Sequence, residues 1–321
     1  MNVLLTGGSG FVGQNIIPVL IEKGFIVHAL TRSPRAAQKV KALGAIPVMD
    51  DLTALSKNTE TALSKCEGVI HAAAHMDFTY DPRPYYRLNV EATQNLLAMA
   101  KAQGIKKFIY ISAAPVIPGS PIVQLSEDQA APGLPSALYP KTKAIAEKAV
   151  LAASSADFIC ISLRPPAIWG PNNHHYDDLL SNVKKGRWRW IGGGHQILST
   201  IHVKNLANAI IAAFQSQKGG VAYFVTDGDR RSMRKTFTAI LKAGQLDPGN
   251  KELPRWVAVL MAHVFGGIWK LFRLKSRPPV APLMIRLMGT EFSVSDAKAR
   301  KELGYTNAIS FEEGIADLTT K

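Results

Sequence analysis

Along the first half of the chain, short apolar runs alternate with longer stretches in which apolar residues recur at helical spacing. Val3–Leu5, Ile26–Leu30, Ile46–Met49, Val69–His71, Phe108–Ser112 and Phe158–Leu163 are near-continuous apolar runs of strand length, the pattern of strands covered on both faces. Between them, segments 11–23, 53–65, 85–103 and 139–154 carry the helical period. Strand and helix in alternation predict parallel strands joined by right-handed crossovers, an α/β doubly wound sheet. After Arg164-Pro165-Pro166 the pattern breaks up, with Gly-Pro, Asn-Asn and Gly-Gly-Gly turns through residue 194. A helix over 203–216 and a strand over 221–226 are expected to rejoin the sheet.

The first strand ends at Thr6 and runs into Gly7, Gly10 and Gly13 at GxxGxxG spacing, with the helical period opening at Phe11 and Val12. Strand, glycine turn and helix in that order make a phosphate cradle of Rossmann type. Gly7 permits the tight turn, Gly10 lets the backbone approach a pyrophosphate, and Gly13 lets helix and strand pack closely. The helix N-terminus adds free N–H donors and a positive dipole end. The domain reading is a dinucleotide-binding unit over 1–165, completed by 197–227, with a smaller C-terminal substrate-binding cap built from 166–196 and 228–321.

At 321 residues the chain is long enough for both units, and its composition, 47% hydrophobic and 19% charged, is that of an ordinary globular protein. Because the opening residues already form the glycine-loop strand, no leader peptide is expected and the protein is read as cytoplasmic. Cys66 and Cys160 have no metal spacing and read as reduced buried thiols; no metal site is expected. The net charge of +14 calls for an acidic partner or surface. Nucleic-acid binding would show a basic stripe with interleaved aromatics. Here the basic residues instead crowd an apolar stretch, Leu253 to Leu274, flanked by Arg255, Lys270, Arg273, Lys275 and Arg277. It is too broken to span a bilayer, with His263 and Gly266-Gly267 inside it, but suits a pocket roof, a peripheral membrane contact through 253–277, or both.

A second chemical signal is Tyr139-Pro140-Lys141-Thr142-Lys143, a YxxxK pattern opening a helix. Spacing i to i+4 puts phenol and ammonium on one helix face. The ammonium and an oxidised nicotinamide are both expected to favour the phenolate, so that Tyr139 exchanges a proton with a carbonyl or alcohol oxygen while the nicotinamide exchanges hydride.

With these pieces in order, the chain resembles the extended short-chain dehydrogenase/reductase superfamily over nearly its full length. The matching segments are TGGSGFVG, Asp51-Leu52, His71-Ala72-Ala73-Ala74, Asn89 within NVEAT, YPKTK, RPPAIWGP at 164–171 and Ile201-His202-Val203. ALYPKTKAIAEKAVL and ISLRPPAIWGP are most similar to the branch of 3β-hydroxysteroid dehydrogenases and 2-alkyl-3-oxoalkanoate reductases. The resemblance implies that Gly7, Gly10, Phe11, Val12 and Gly13 cradle the pyrophosphate, and that Asp51 and Leu52 lie beside the adenine. It also implies that Ala72, Ala73 and Ala74 line the cofactor, Asn89 braces the catalytic helix, Lys143 binds the nicotinamide ribose, and Pro166 and Ile168 border the carboxamide. Met76, Phe78, Tyr80, Tyr85 and Tyr86 are expected along one wall of the substrate pocket, and Trp169, His174, His175 and Tyr176 along the other. A homodimer is usual in such relatives.

Two departures from the superfamily pattern carry information. Leu30-Thr31-Arg32-Ser33-Pro34-Arg35 lacks the acid that accepts from an adenine-ribose 2′-hydroxyl, and Arg32, helped by Arg35, suits a 2′-phosphate; NADP(H) is therefore favoured over NAD(H). In Ser112-Ala113-Ala114-Pro115-Val116, Ala113 occupies the place of the usual catalytic hydroxyl. Ser112 comes one residue earlier, on the opposite face of the strand; three readings stay open, that Ser112 reaches the substrate through a local bulge as a catalytic helper, that another donor replaces the hydroxyl, or that catalysis is weak or absent. The expected activity is NADP(H)-dependent interconversion of a ketone and a secondary alcohol on a hydrophobic substrate, steroid-like or long-chain 3-oxo. The alternatives are a nucleotide-sugar epimerase or dehydratase, and a non-catalytic NADP(H)-binding sensor or scaffold.

Overall fold

A computed structural model describes residues 1–131, 133–272, 274 and 276–319. The chain opens as β1 (Asn2–Thr6), α1 (Phe11–Glu22), β2 (Ile26–Thr31), α2 (Pro34–Ala42), β3 (Ile46–Met49), α3 (Lys57–Leu63) and β4 (Gly68–His71). Next, α4 (Pro82–Tyr85) runs through a π-turn (Tyr86–Glu91) into α5 (Ala92–Ala102), followed by β5 (Lys107–Ile111), β6 (Ile122–Leu125), α6 (Leu138–Ala152) and β7 (Ile159–Arg164). The remainder comprises β8 (Ala167–Trp169), α7 (Asp177–Lys184), β9 (Trp190–Ile191), β10 (Thr200–His202), α8 (Val203–Gln215), β11 (Val221–Phe224) and α9 (Met233–Ala243). It ends with β12 (Glu252–Leu253), α10 (Arg255–Leu271), α11 (Pro282–Gly289), β13 (Phe292–Val294), α12 (Ala297–Leu303) and α13 (Phe311–Asp317).

Seven parallel strands form the central sheet in the order β3-β2-β1-β4-β5-β7-β11, the doubly wound α/β sheet that the alternating pattern predicts. Side chains alternate across it, as strand geometry requires. Val3, Leu5, Ile70, Ile109 and Ile111 meet α1 and α8 on one face; Leu4, Val69, Phe108 and Tyr110 meet α3, α5 and α6 on the other. The strand order reverses between β1 and β4, and their carboxyl ends open the crevice where ligands bind in such sheets. The sequence pattern passes over α2. Its N-terminus carries the usual signal, Ser33 capping Ala36 with Pro34 at the first turn, but Val40 is its one buried side chain, too little to leave a periodicity.

Outside the central sheet lie three two-stranded parallel pairs, β10-β8, β12-β9 and β13-β6, the last joining a C-terminal strand to one from the first half of the chain. One buried carboxylate ties several of these pieces together. Asp227 Oδ2 accepts from Trp169 Nε1 at 2.8 Å and Thr200 Oγ1 at 2.9 Å. Its Oδ1 accepts from His202 N at 2.7 Å and Asn205 Nδ2 at 2.8 Å. Strands β8 and β10 and the start of α8 are thereby fixed at the end of β11. Among the described residues no helix is long and apolar enough to cross a membrane. Arg273 and Lys275, counted in the basic flank from sequence, lie outside the described residues.

Candidate active site

The turn after β1 is built around absent side chains. Gly7 sits at φ +75°, and a Cβ there would lie 2.8 Å from Ala73 N, so only glycine lets the turn close against the chain leaving β4. A Cβ at Gly13 would lie 2.3 Å from Gly7 O and 2.4 Å from Gly8 Cα. The close approach is therefore between α1 and the glycine loop itself rather than between helix and strand, as the spacing alone had it. Gly10 is the N-cap of α1, extended and with no side chain covering the first-turn N–H groups. These residues fit a pyrophosphate: a helix N-terminus without a capping side chain and a backbone surface without Cβ atoms.

A chain of hydrogen bonds joins this cradle to the helix that carries YxxxK. Ala73 N donates to Thr6 Oγ1 (3.2 Å), which pairs with His71 Nδ1 (2.6 Å). His71 Nε2 pairs with Thr93 Oγ1 (2.8 Å), whose proton goes to Asn89 O (2.8 Å). Since the Thr93 proton is committed, His71 Nε2 must donate to it and Nδ1 must accept from Thr6, a neutral imidazole with one tautomer. Burial, with the Lys143 ammonium adding, pushes His71 down to about 3, consistent with that assignment. Asn89, in the π-turn, then accepts from His75 N (2.6 Å) and donates to His75 O (3.1 Å) and Thr142 Oγ1 (3.0 Å). Thr142 lies in the first turns of α6, between Tyr139 and Lys143.

Lys143 is buried, with Nζ donating to Ile111 O at 2.6 Å and lying 4.0 Å from the centre of the Tyr110 ring. The ammonium is thus held at the end of β5. Burial pushes Tyr139 up to about 12, with the Tyr85 phenol adding. In the chain without cofactor, desolvation thus favours the protonated phenol. Ala113 is buried in the cluster against which Tyr139 packs. Ser112 follows β5, with N donating to Leu163 O at 2.8 Å and Oγ enclosed without a hydrogen-bond partner.

Burial also pulls Lys143 down to about 7 from 10.5, against the pull of the Glu147 carboxylate. Between these values the unfolded chain keeps a proton that the folded chain has released, so through this group stability rises with pH across the window. Lys143→Met is expected to be more stable than the parent below about pH 7, with the gap closing toward pH 10.5. Thermal unfolding over a pH series reads this; parallel curves for the two proteins would contradict it.

With the glycine cradle, the YxxxK helix and the Asn89 brace assembled on one doubly wound sheet, comparison with known proteins settles the family. The model of the 3-beta hydroxysteroid dehydrogenase/isomerase family matches residues 4–255. The chain belongs to this family. It is 33% identical over 317 residues to a 4-hydroxy-2-methyl-3-oxo-4-farnesyl-3,4-dihydroquinoline-1-oxide ketoreductase of Stigmatella aurantiaca, covering 98% of this chain and 95% of that protein. It is 34% identical over 327 residues to a decarboxylating sterol-4-alpha-carboxylate 3-dehydrogenase of Dictyostelium discoideum, covering 99% of each. Among solved structures, the UDP-glucuronic acid 4-epimerase of Bacillus cereus superposes with a TM-score of 0.75 at 18% identity, over 99% of this chain and 97% of that one, a likeness of fold. As a 3-beta hydroxysteroid dehydrogenase/isomerase family member, the protein is an oxidoreductase of the dehydrogenase and reductase kind.

In this family member the two expected pocket walls fare differently. Tyr85 is buried and meets the His75 ring edge-on, centroids 4.6 Å apart; His75 Nε2 and the Tyr80 hydroxyl are enclosed without partners. Trp169, by contrast, is core: it donates to Asp227 and packs on His202 and Phe311. His174 is exposed, 3.7 Å from Asp177, and the side chain of His175 lies outside the described ones. Tyr176 gives its hydroxyl proton to Ile168 O at 3.2 Å. The apolar cluster against which Tyr139 packs includes Trp190, which the sequence did not single out, and Trp188, Leu179, Leu287 and Met288 pack against the same cluster. They lie at turns and short elements with no motif to mark them, although a Trp-x-Trp pair is a compositional cue. Arg32 and Arg35 are exposed and, among the described contacts, take part in no hydrogen bond or ion pair. Asp51 is held below the usual carboxylate range by the backbone and side chain of Thr53, with Arg87 and Arg32 adding from further off. Leu52 and Pro166 are buried, and Ile168 is half-buried.

Proposed function

We propose that the protein is an NADP(H)-dependent ketoreductase, interconverting a ketone and a secondary alcohol on a hydrophobic small molecule that is steroid-like or a long-chain 3-oxo compound. The observation that carries this reading is the Tyr139–Lys143 pair. It sits at the end of β5 in an apolar cluster and is tied to the glycine cradle through Asn89, Thr93, His71 and Thr6. The names of the two relatives, a farnesyl-bearing ketone and a sterol carboxylate, support a bulky apolar substrate.

Gly7, Gly10, Phe11, Val12 and Gly13 would hold the pyrophosphate, Asp51 and Leu52 the adenine end, and Ala72, Ala73, Ala74, Asn89, Pro166 and Ile168 the nicotinamide end. A bound nicotinamide supplies or takes the hydride. Tyr139, kept protonated by burial, gives its proton to the carbonyl oxygen in reduction and recovers it in oxidation. Ser112 Oγ, enclosed and unpartnered, is the donor to the developing alkoxide in place of the hydroxyl missing at Ala113. Segments 166–196 and 228–321 form the substrate cap, and the protein is a cytoplasmic homodimer.

Two unpaired arginines just past β2, with no acid there, favour NADP(H). Arg32→Ala should weaken NADPH binding by about tenfold, the loss of a charge-assisted phosphate contact, and leave NADH binding unchanged. Equal losses for both cofactors would remove the NADP(H) assignment. The reading as a whole is tested by NADPH consumption over a panel of long-chain 3-oxo acids and steroid ketones. Firm NADPH binding without turnover on any of them would favour a sensor.

A further inference from the structure

Arg286, in α11, is half-buried without a counter-charge. Its Nη2 donates to Ile117 O at 3.0 Å, and its Nε is enclosed with no partner. Among the described contacts it takes part in no ion pair. Burial pulls the guanidinium below its usual pKa, with no carboxylate acting against that pull. Arg164, Arg231 and Arg300, also drawn toward the interior, each have one: Glu147, Asp229 and Asp296 in turn. An enclosed cation is costly unless it is paired, so a fork of donors left open points to a partner that arrives with a ligand.

Its neighbours put it beside the Tyr139 pocket. Ile117 closes the short turn (Ala114–Val116) that follows Ala113. Leu287 and Met288, next to Arg286 on α11, pack against the cluster that holds Ala113, Ile117 and Trp190 and receives Tyr139. The phosphates of a dinucleotide are provided for elsewhere, at the glycine turn after β1, which leaves the guanidinium to the substrate. A planar carboxylate matches its fork with two parallel charge-assisted bonds. A sugar phosphate would match the fork as well, but the side chains beside it are apolar, and Trp190 already gives its indole N–H to Gly249 O at 2.8 Å. The space suits an apolar chain.

We propose that Arg286 is a specificity-determining residue that pairs with a carboxylate on the substrate, so that the site takes a long-chain keto acid in preference to a neutral steroid ketone. The inference rests on the reading of the Tyr139 pocket as the substrate site. It is tested by calorimetric binding of 3-hydroxydodecanoate and its methyl ester to the full chain with NADPH present, where alcohol and cofactor are both reduced and cannot react. The parent should bind the acid about tenfold or more tighter than the ester. Arg286→Gln should lose that preference by weakening the acid alone, and Arg286→Lys, which keeps the charge without the fork, should fall between them. A parent that binds both alike overturns the proposal. So does an Arg286→Gln variant that still prefers the acid, since the residue would then serve only to hold Ile117 O. Should that variant fail to fold, Arg286→Lys decides: weaker acid binding with ester binding unchanged supports the pairing, and unchanged acid binding overturns it. NADPH consumption on the 3-oxo acid is read separately. An acid preference that Arg286 controls, without turnover, would keep the pairing and remove the reductase reading; turnover without an acid preference would do the reverse.

Discussion

Tyr139→Phe is expected to lower ketone turnover by about 10²–10⁴, the range supplied by a positioned general acid, while thermal stability and NADPH affinity stay close to those of the parent. The separation follows from what the hydroxyl does in the structure. Among the described contacts it makes no hydrogen bond, while the ring packs in the cluster with Ala113, Trp190 and Phe224. Phenylalanine keeps that packing and removes only the proton. A stopped assay with an intact cofactor site would place the lost function at the proton transfer. Turnover that survives the substitution would show that another group donates, and Tyr139 would lose its assigned role.

The largest stability effect is expected at Asp227. Asp227→Ala leaves four donors, from Trp169, Thr200, His202 and Asn205, without their acceptor in a buried setting. Removing one partner from such a buried charged network costs about 3–5 kcal/mol. Asp227→Asn should fall between Ala and the parent. An NH₂ on the Oδ1 side would face the N–H groups of His202 and Asn205, whereas on the Oδ2 side it opposes only the Trp169 indole N–H, since the Thr200 hydroxyl can turn and accept from it. Urea unfolding of the three proteins reads the order; an Ala variant within about 1 kcal/mol of the parent would mean that water or relaxation satisfies the donors.

The sequence and the structure inform different parts of this picture. The sheet, the cradle and the Tyr139–Lys143 helix were legible because each rests on spacing within a few residues: apolar runs, glycines three apart, and a phenol and an amine one turn apart. Helix α2 was not, because a single buried side chain leaves no period to read. The resting place of the Lys143 ammonium was not legible for a different reason. Spacing brings the lysine onto the same helix face, but Ile111 O and the Tyr110 ring, on β5, decide where its ammonium rests. Trp169, expected at the pocket, is core because Asp227, 58 residues on, accepts its indole N–H.

By itself, then, the sequence determined the doubly wound fold, the family and the position of the candidate chemistry, all of which are written in local periodicity. The tertiary structure alone decided which ionisable groups are desolvated and which donors are left unpaired. Those properties depend on partners brought from distant segments, and no spacing along one element contains them.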